Sequence, residues 1–226
     1  MQRIVAGVRR FRTEVFPHKR ALFEQLAKGQ SPTAVVISCA DSRVDMQLIT
    51  QSEPGELFWF RNAGNIVPPY GAVLGAASAT IEYALEALEI PNIIVCGHSD
   101  CGAMKGLLKR DLAERMPTVA SWLRFADVPR QLVLQGKDAR AADAPSTLDA
   151  LVRENVLTQL THLSTHPAVA VRLQRGTVQL HGWVYDIERG EISAYDAASG
   201  CYRPLESQPM PHATPETRSA ALEVRA

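Results

Sequence analysis

Three short apolar runs do most to limit what this chain can fold into: TAVVIS (33–38), ELFWFR (56–61) and NIIVCG (92–97). The first and third are almost continuous in apolar, β-branched residues, as strands buried on both faces are. Between the second and third, a helix of small residues is expected over 72–88, stopping before Pro91. TVQLHGWVYDI (177–187) and EISAYD (191–196) read as two more strands joined by a turn at Glu188-Arg189-Gly190. Further helices are expected over 100–109, from Pro117 through Trp122 and Phe125, and over 147–164. On the last of these, Leu148, Leu151, Val152, Val156, Leu160 and Leu163 form an apolar side. The polar, alanine-rich 135–146 stretch reads as a surface loop. Strands alternating with helices define an α/β fold: a single domain with a mainly parallel β-sheet, an antiparallel edge strand and flanking helices.

Ahead of the first strand, Ile4, Val8, Phe11 and Val15 share one helical face, and Pro17 breaks the helix. Leu22, Phe23 and Leu26 mark a second short helix ended by Gly29. This N-terminal helical arm (1–29) either covers a neighbouring subunit or packs on its own domain; periodicity does not separate the two. The domain is expected to span 1–206, with a loosely held, proline-rich tail over 207–226.

Composition excludes several classes. The chain has 226 residues and a formal net charge of zero, which argues against a nucleic-acid partner. Four cysteines in a chain this long do not make a secreted disulfide scaffold. The N-terminus lacks the apolar core and cleavage site of a secretory signal. The one long uncharged stretch, 62–81, holds two asparagines, two prolines and three glycines, so it reads as buried backbone and not a membrane span. A cytoplasmic, membrane-free protein is expected.

Two motifs carry chemistry. Cys39-Ala40-Asp41-Ser42-Arg43 follows the first strand, and His98-Ser99-Asp100-Cys101-Gly102 follows the third. In open α/β sheets, ligands bind outside the carboxyl ends of strands, where strand order reverses. Were these strands neighbours, about 5 Å apart, Cys39, His98 and Cys101 could converge on one zinc ion. Either motif alone is weak, since a cysteine at a strand end is usually a small core residue. The pair, each half after an apolar strand, is much stronger. Cys96, within the third strand, reads as core, and Cys201 has no assigned role. His162 and His166 are four apart but lack an acidic or cysteine companion, so they read as a solvated helix end. His181 is expected to make a structural hydrogen bond.

Three protein ligands leave zinc a fourth position, which marks a catalytic site. Arg43 can hold Asp41 by a bidentate ion pair and keep it ionised, so that Asp41 accepts a hydrogen bond from zinc-bound water. Zinc would make hydroxide available near neutral pH, and two thiolates would make its water less acidic than three imidazoles would. Activity should then rise above neutral pH. The helix starting near Asp100 would favour thiolate at Cys101 and an oxyanion beside it. This chemistry defines a hydrolytic or hydrating zinc site and leaves the substrate open.

CADSRV (39–44) and GHSDCGAMKG (97–106) resemble the two zinc-binding motifs of β-class carbonic anhydrases. EPGELFWFRNAGNIVPPYG (53–71), ATIEYALEALEIPNIIVCG (79–97) and HGWVYDI (181–187) are similar to that family as well, in family order. The resemblance covers roughly residues 3–206, and MPTVASWLRFAD (116–127) and LVRENVLTQLTHLSTHP (151–167) look like the bacterial member encoded beside cyanase. It implies reversible hydration of carbon dioxide to bicarbonate by zinc-bound hydroxide, with Cys39, His98 and Cys101 on zinc and Asp41 and Arg43 as the catalytic dyad. It also implies that Gln30, Phe58, Tyr83 and the Gly102 amide bind substrate, Gln30 across a subunit interface. Ala63 stands where plant members carry a larger apolar residue, which leaves the pocket more open. A subgroup in which bicarbonate inhibits and the aspartate swings onto zinc carries a tryptophan three residues before the first ligand. Here that position is Val36, with Arg61 and Tyr185 resembling the rest of that site, so an open resting site is implied. So is a homodimer, which resolves the N-terminal stripe as a subunit arm and in this family often pairs into a homotetramer.

Rival functions remain distinct. Carbon disulfide or carbonyl sulfide hydrolases share the scaffold, but their substrates present no oxygen pattern for Gln30 to read. A non-catalytic zinc- or bicarbonate-binding protein would not need the Asp41–Arg43 pair. A cysteine redox protein would need a C-x-x-C pair that Cys39 and Cys101 do not form.

Overall fold

The computed structural model describes residues 1–136 and 146–207. Most of the expected 135–146 loop and nearly all of the 207–226 tail lie outside the described residues. One six-stranded sheet has the order β2-β1-β3-β4-β5-β6. β1 (Ala34–Cys39), β2 (Leu57–Asn62), β3 (Asn92–His98) and β4 (Gln179–Asp186) run parallel. β5 (Glu191–Asp196) and β6 (Cys201–Pro204) extend the sheet antiparallel. β6 was not expected: four residues ending in Pro204 give little strand signal, and an edge is where a sheet tolerates proline.

All six residues of β1 are buried because both of its faces are covered. Val35 and Ile37 point into one cluster with Ile81, Leu85, Val95 and Val156, while Val36 points into another with Met46, Ile94 and Cys96. The first face is covered by α4 (Ala76–Glu86), α9 (Thr147–Leu163) and α10 (Pro167–Gln174). Among the described residues, the second face carries only α3 (Met46–Thr50), capped by Asp45, whose carboxylate accepts from the Leu48 amide at 3.2 Å. Trp59, in register with Val36, is 37% exposed on that thinner side. Cys96 is core, as expected.

α9 sits close to the sheet because Gly97 leaves room for it. A Cβ on Gly97 would lie 2.9 Å from Val156 Cγ2 and 3.0 Å from Val152 Cγ1. The helix starts at Ser146, whose Oγ accepts from the Asp149 amide. Its inner face mixes the expected leucines and valines with buried Asn155 and Gln159. Those amides, with two histidines, hold the loop after β2. Val67 N–H donates to Gln159 Oε1 at 2.8 Å, His162 Nδ1–H to Val67 O at 2.8 Å and His166 Nε2–H to Pro68 O at 3.0 Å. The solvated reading of His162 and His166 is therefore corrected: His166 is 2% exposed, and both rings satisfy carbonyls of an inward-folded loop. His181 bonds Asn92 Oδ1 at 3.0 Å, as expected.

Three more helices follow β3: α5 (Gly102–Leu107), α6 (Leu112–Arg115) and α7 (Pro117–Leu123), with a 3-10 turn at Arg124–Ala126 and α8 (Asp127–Leu134) after them. At the other end of the chain, α1 (Gln2–Arg10) runs through a wide turn at Phe11–Val15 and a tight one at Phe16–Lys19 into α2 (Arg20–Leu26). Phe16 and Phe23 stack with ring centroids 5.3 Å apart, and Phe11 packs edge-on to both. None of the arm's residues is buried. No described helix is long and apolar enough to cross a membrane.

Candidate metal centre and active site

β1 is followed by β2 on one side, and the chain then returns to place β3 on the other. Strand order thus reverses between β1 and β3, and the carboxyl ends of these two strands carry Cys39 and His98. Asp100, at φ +59, turns the chain after β3 so that Cys101 stands as the residue before α5. That left-handed residue is why α5 begins at Gly102 and not at Asp100. Ligand atoms of Cys39, His98 and Cys101 all lie within 4.8 Å of one another, and all three residues are buried.

The donors fit a borderline-soft divalent ion. His98 Nδ1 lies 2.9 Å from Ser99 O, and a carbonyl only accepts, so Nδ1 carries the proton. Nε2 is left with its lone pair, buried and without a hydrogen-bond partner. Such a fixed tautomer is what a metal-binding imidazole requires. Cys39 and Cys101 shift in opposite directions: a hydrogen bond from the Cys101 thiol draws Cys39 down to about 4, and the same contact together with burial pushes Cys101 up. His98 and the amides of Gly64 and Asp41 also favour Cys39 thiolate. The amides of Ala103 and Met104 pull Cys101 in the same direction, against its larger upward causes. Two thiolates and one imidazole are a preferred zinc set.

Asp41 lies beside this cluster, its Oδ2 3.9 Å from His98 Nε2. Arg43 grips it with Nε on Oδ1 at 3.0 Å and Nη2 on Oδ2 at 2.8 Å. These bonds hold the Asp41 carboxyl well below the usual carboxylate range. Arg43 Nη1 also reaches Asp100 Oδ2 at 3.0 Å, and Asp100 pairs with Lys105. Arg61 takes part too: it donates to Cys39 O at 3.1 and 3.0 Å and to Asp41 O at 2.8 Å.

Of the other residues named from sequence, Gly102 is exposed next to Cys101 at the start of α5. Phe58, Tyr83 and Gln30 are not brought to this cluster. Phe58 is in register with Val35, four residues before Cys39, which puts it roughly 13 Å down the sheet. Tyr83 lies 6.0 Å from Phe58 between ring centroids and is 52% exposed; Gln30 is exposed between α2 and β1. The anchoring roles of Arg61, Asp100, Gly64, Trp122 and Asn155 were not foreseen.

Residues 34–192 match the carbonic anhydrase family model. The carbonic anhydrase of Synechocystis sp. is 54% identical over 87% of this chain and 71% of its own length. That of Pseudomonas aeruginosa is 48% identical over 92% of this chain and 94% of its own. The solved β-carbonic anhydrase CcaA superposes with a TM-score of 0.85 at 52% identity, covering 90% of this chain and 98% of that one. With the same sheet, and with a Cys-His-Cys cluster at its switch point, the chain belongs to the β-class carbonic anhydrases, lyases that hydrate carbon dioxide to bicarbonate.

Proposed function

We propose that this chain hydrates carbon dioxide reversibly at one zinc ion held by Cys39, His98 and Cys101, with Asp41 and Arg43 as the catalytic dyad. The convergence of the three buried ligand atoms within 4.8 Å carries this reading. Zinc, when bound, supplies a Lewis acid that makes hydroxide available near neutral pH. Asp41, fixed and ionised by Arg43, would accept a hydrogen bond at Oδ2 from the attacking hydroxyl and so orient it toward carbon dioxide. Keeping Asp41 on Arg43 would keep its carboxylate from joining the three residues that would hold the metal. The Gly102 amide, at the first turn of α5, donates to a substrate oxygen.

Gln30, Phe58 and Tyr83 bind substrate from a second copy of the chain. Their distance from Cys39 within one chain and the exposure of Tyr83 support this, as do the bare arm and the thinly covered sheet face around Trp59. The assembly is a homodimer, which can pair into a tetramer. The catalytic domain spans residues 1–206, and the protein works in the cytoplasm.

Zinc content and hydration rate, measured at about pH 7 and about pH 8.5 on the native chain and on Asp41→Asn, test this reading. One zinc per chain, faster hydration at the higher pH and a loss of about a hundredfold in the variant are expected. Zinc with hydrolysis of carbon disulfide or carbonyl sulfide, and without hydration, would assign the site to that other reaction. Zinc with neither activity would make it a binding site, and a native chain that takes up no zinc would end the proposal.

A further inference from the structure

One peptide group beside the metal site is held from two directions by side chains distant in sequence. Trp122 donates its indole N–H to Ala63 O at 3.0 Å. The N–H of that same peptide, on Gly64, donates to Cys39 Sγ at 3.5 Å. The next peptide is fixed as well: Asn155 Nδ2 donates to Gly64 O at 3.0 Å, and Asn155 Oδ1 accepts from Gln159 Nε2 at 2.9 Å. Asn155 and Gln159 are 1% and 0% exposed, so neither amide has water to fall back on.

Gly64 stands where any side chain would be strained and crowded. Its φ is +80, and a Cβ would meet Met104 Cε at 3.0 Å and Ala103 Cβ at 3.2 Å. The amide comes this close to the sulfur at a position that favours glycine, in a loop that its two neighbours hold by hydrogen bonds. A hydrogen bond accepted at a peptide carbonyl polarises the group and strengthens its N–H as a donor. A donor on a ligand sulfur withdraws charge from it and so adjusts what the sulfur gives a metal.

We propose that Trp122 and Asn155 are positioning residues for the hydration reaction: they aim the Gly64 amide at Cys39 and thereby set how strongly that thiolate donates to the metal. The proposal rests on Cys39 being a metal ligand. It gives α7 and α9, which supply no ligand, a defined part in the chemistry. Trp122 is half-buried, packed on the core cluster beside Cys101 and at a groove also lined by Val73, Pro117 and Phe125, so its replacement must keep an aromatic ring.

Cobalt-substituted enzyme tests this through its thiolate-to-metal charge-transfer band. Trp122→Phe removes the N–H and keeps an aromatic ring. Asn155→Asp keeps the acceptor for Gln159 and removes the donor to Gly64. In both variants the band should move to longer wavelength, and kcat of the zinc enzyme should fall about tenfold, with full metal loading. If Asn155→Asp does not fold, Trp122→Phe decides alone. A band that stays in place while only the melting temperature drops would make these contacts structural and overturn the inference. A native cobalt protein without a thiolate band would remove the metal reading first, and this inference with it.

Discussion

Arg43 meets Asp41 through two parallel hydrogen bonds, at 3.0 and 2.8 Å, and reaches Asp100 with its remaining nitrogen at 3.0 Å. One guanidinium thus ties the segment after β1 to the segment after β3, next to the strand ends that carry Cys39 and His98. A planar fork can do this and a single ammonium cannot. Arg43→Lys keeps the charge and loses the geometry, which frees Asp41 to leave its position. The expected result is zinc content unchanged and kcat/KM lowered about a hundredfold, as misplacement near reacting atoms commonly costs. Near-native kinetics in the lysine variant would show that charge alone keeps Asp41 in place.

Arg61 acts on the backbone of the same segment. It bonds Cys39 O twice and Asp41 O once, fixing the direction in which the chain leaves β1. Arg61→Met keeps most of the side-chain length and removes all three bonds. Competition with a chromogenic chelator should show zinc held about tenfold more weakly, and hydration should drop alongside. Unchanged affinity would mean that the pairing of β1 with its neighbours already sets the position of Cys39.

That Cys39, His98 and Cys101 would come together was legible because each motif directly follows an apolar run, and a βα pattern sends such strand ends to one edge of the sheet. What supports the ligands was not legible, for a physical reason. Trp122 lies 59 residues from Ala63 and Asn155 lies 91 from Gly64, and no periodicity links such pairs. Asn155 and Gln159 interrupt an apolar stripe that reads as core, so their polarity looks incidental until the loop they hold is seen. The same holds for His162 and His166, which stand at a helix end and seem free for solvent. Phe58, Tyr83 and Gln30 show the opposite limit. Resemblance named them, yet a single chain leaves them away from Cys39, and only the proposed second copy would bring them to it.

His162 makes stability depend on pH. It donates Nδ1–H to Val67 O, and burial lowers its pKa from the ordinary histidine value. The unfolded chain, with a histidine pKa of about 6.5, therefore takes up a proton that the folded chain refuses. Stability conferred by the neutral ring is whole above that value and declines as pH falls below it. His181 shifts in the same direction through burial and adds to the slope. Urea midpoints measured from about pH 7.5 down to about pH 5.5 should fall for the native chain, and His162→Asn, which retains a donor for Val67 O, should flatten that fall. Identical slopes would mean that His162 titrates normally in the fold.

The arm offers a test of assembly that bears on the site. Ile4 and Val8 are each 63% exposed, and Phe11 and Val15 41%, so a continuous apolar stripe faces outward from the chain. A monomer does not usually keep such a stripe in water. Full burial of one valine against a neighbour is worth about 1.5–3 kcal/mol, and a two-fold interface counts it twice. Val8→Glu places a charge in that contact. Sedimentation at micromolar concentration should shift toward the monomer, and hydration should fall with it if, as proposed, Gln30, Phe58 and Tyr83 complete a neighbour's site. A fully active monomer would show that each chain completes its own site, and an unchanged oligomer would move the interface away from α1.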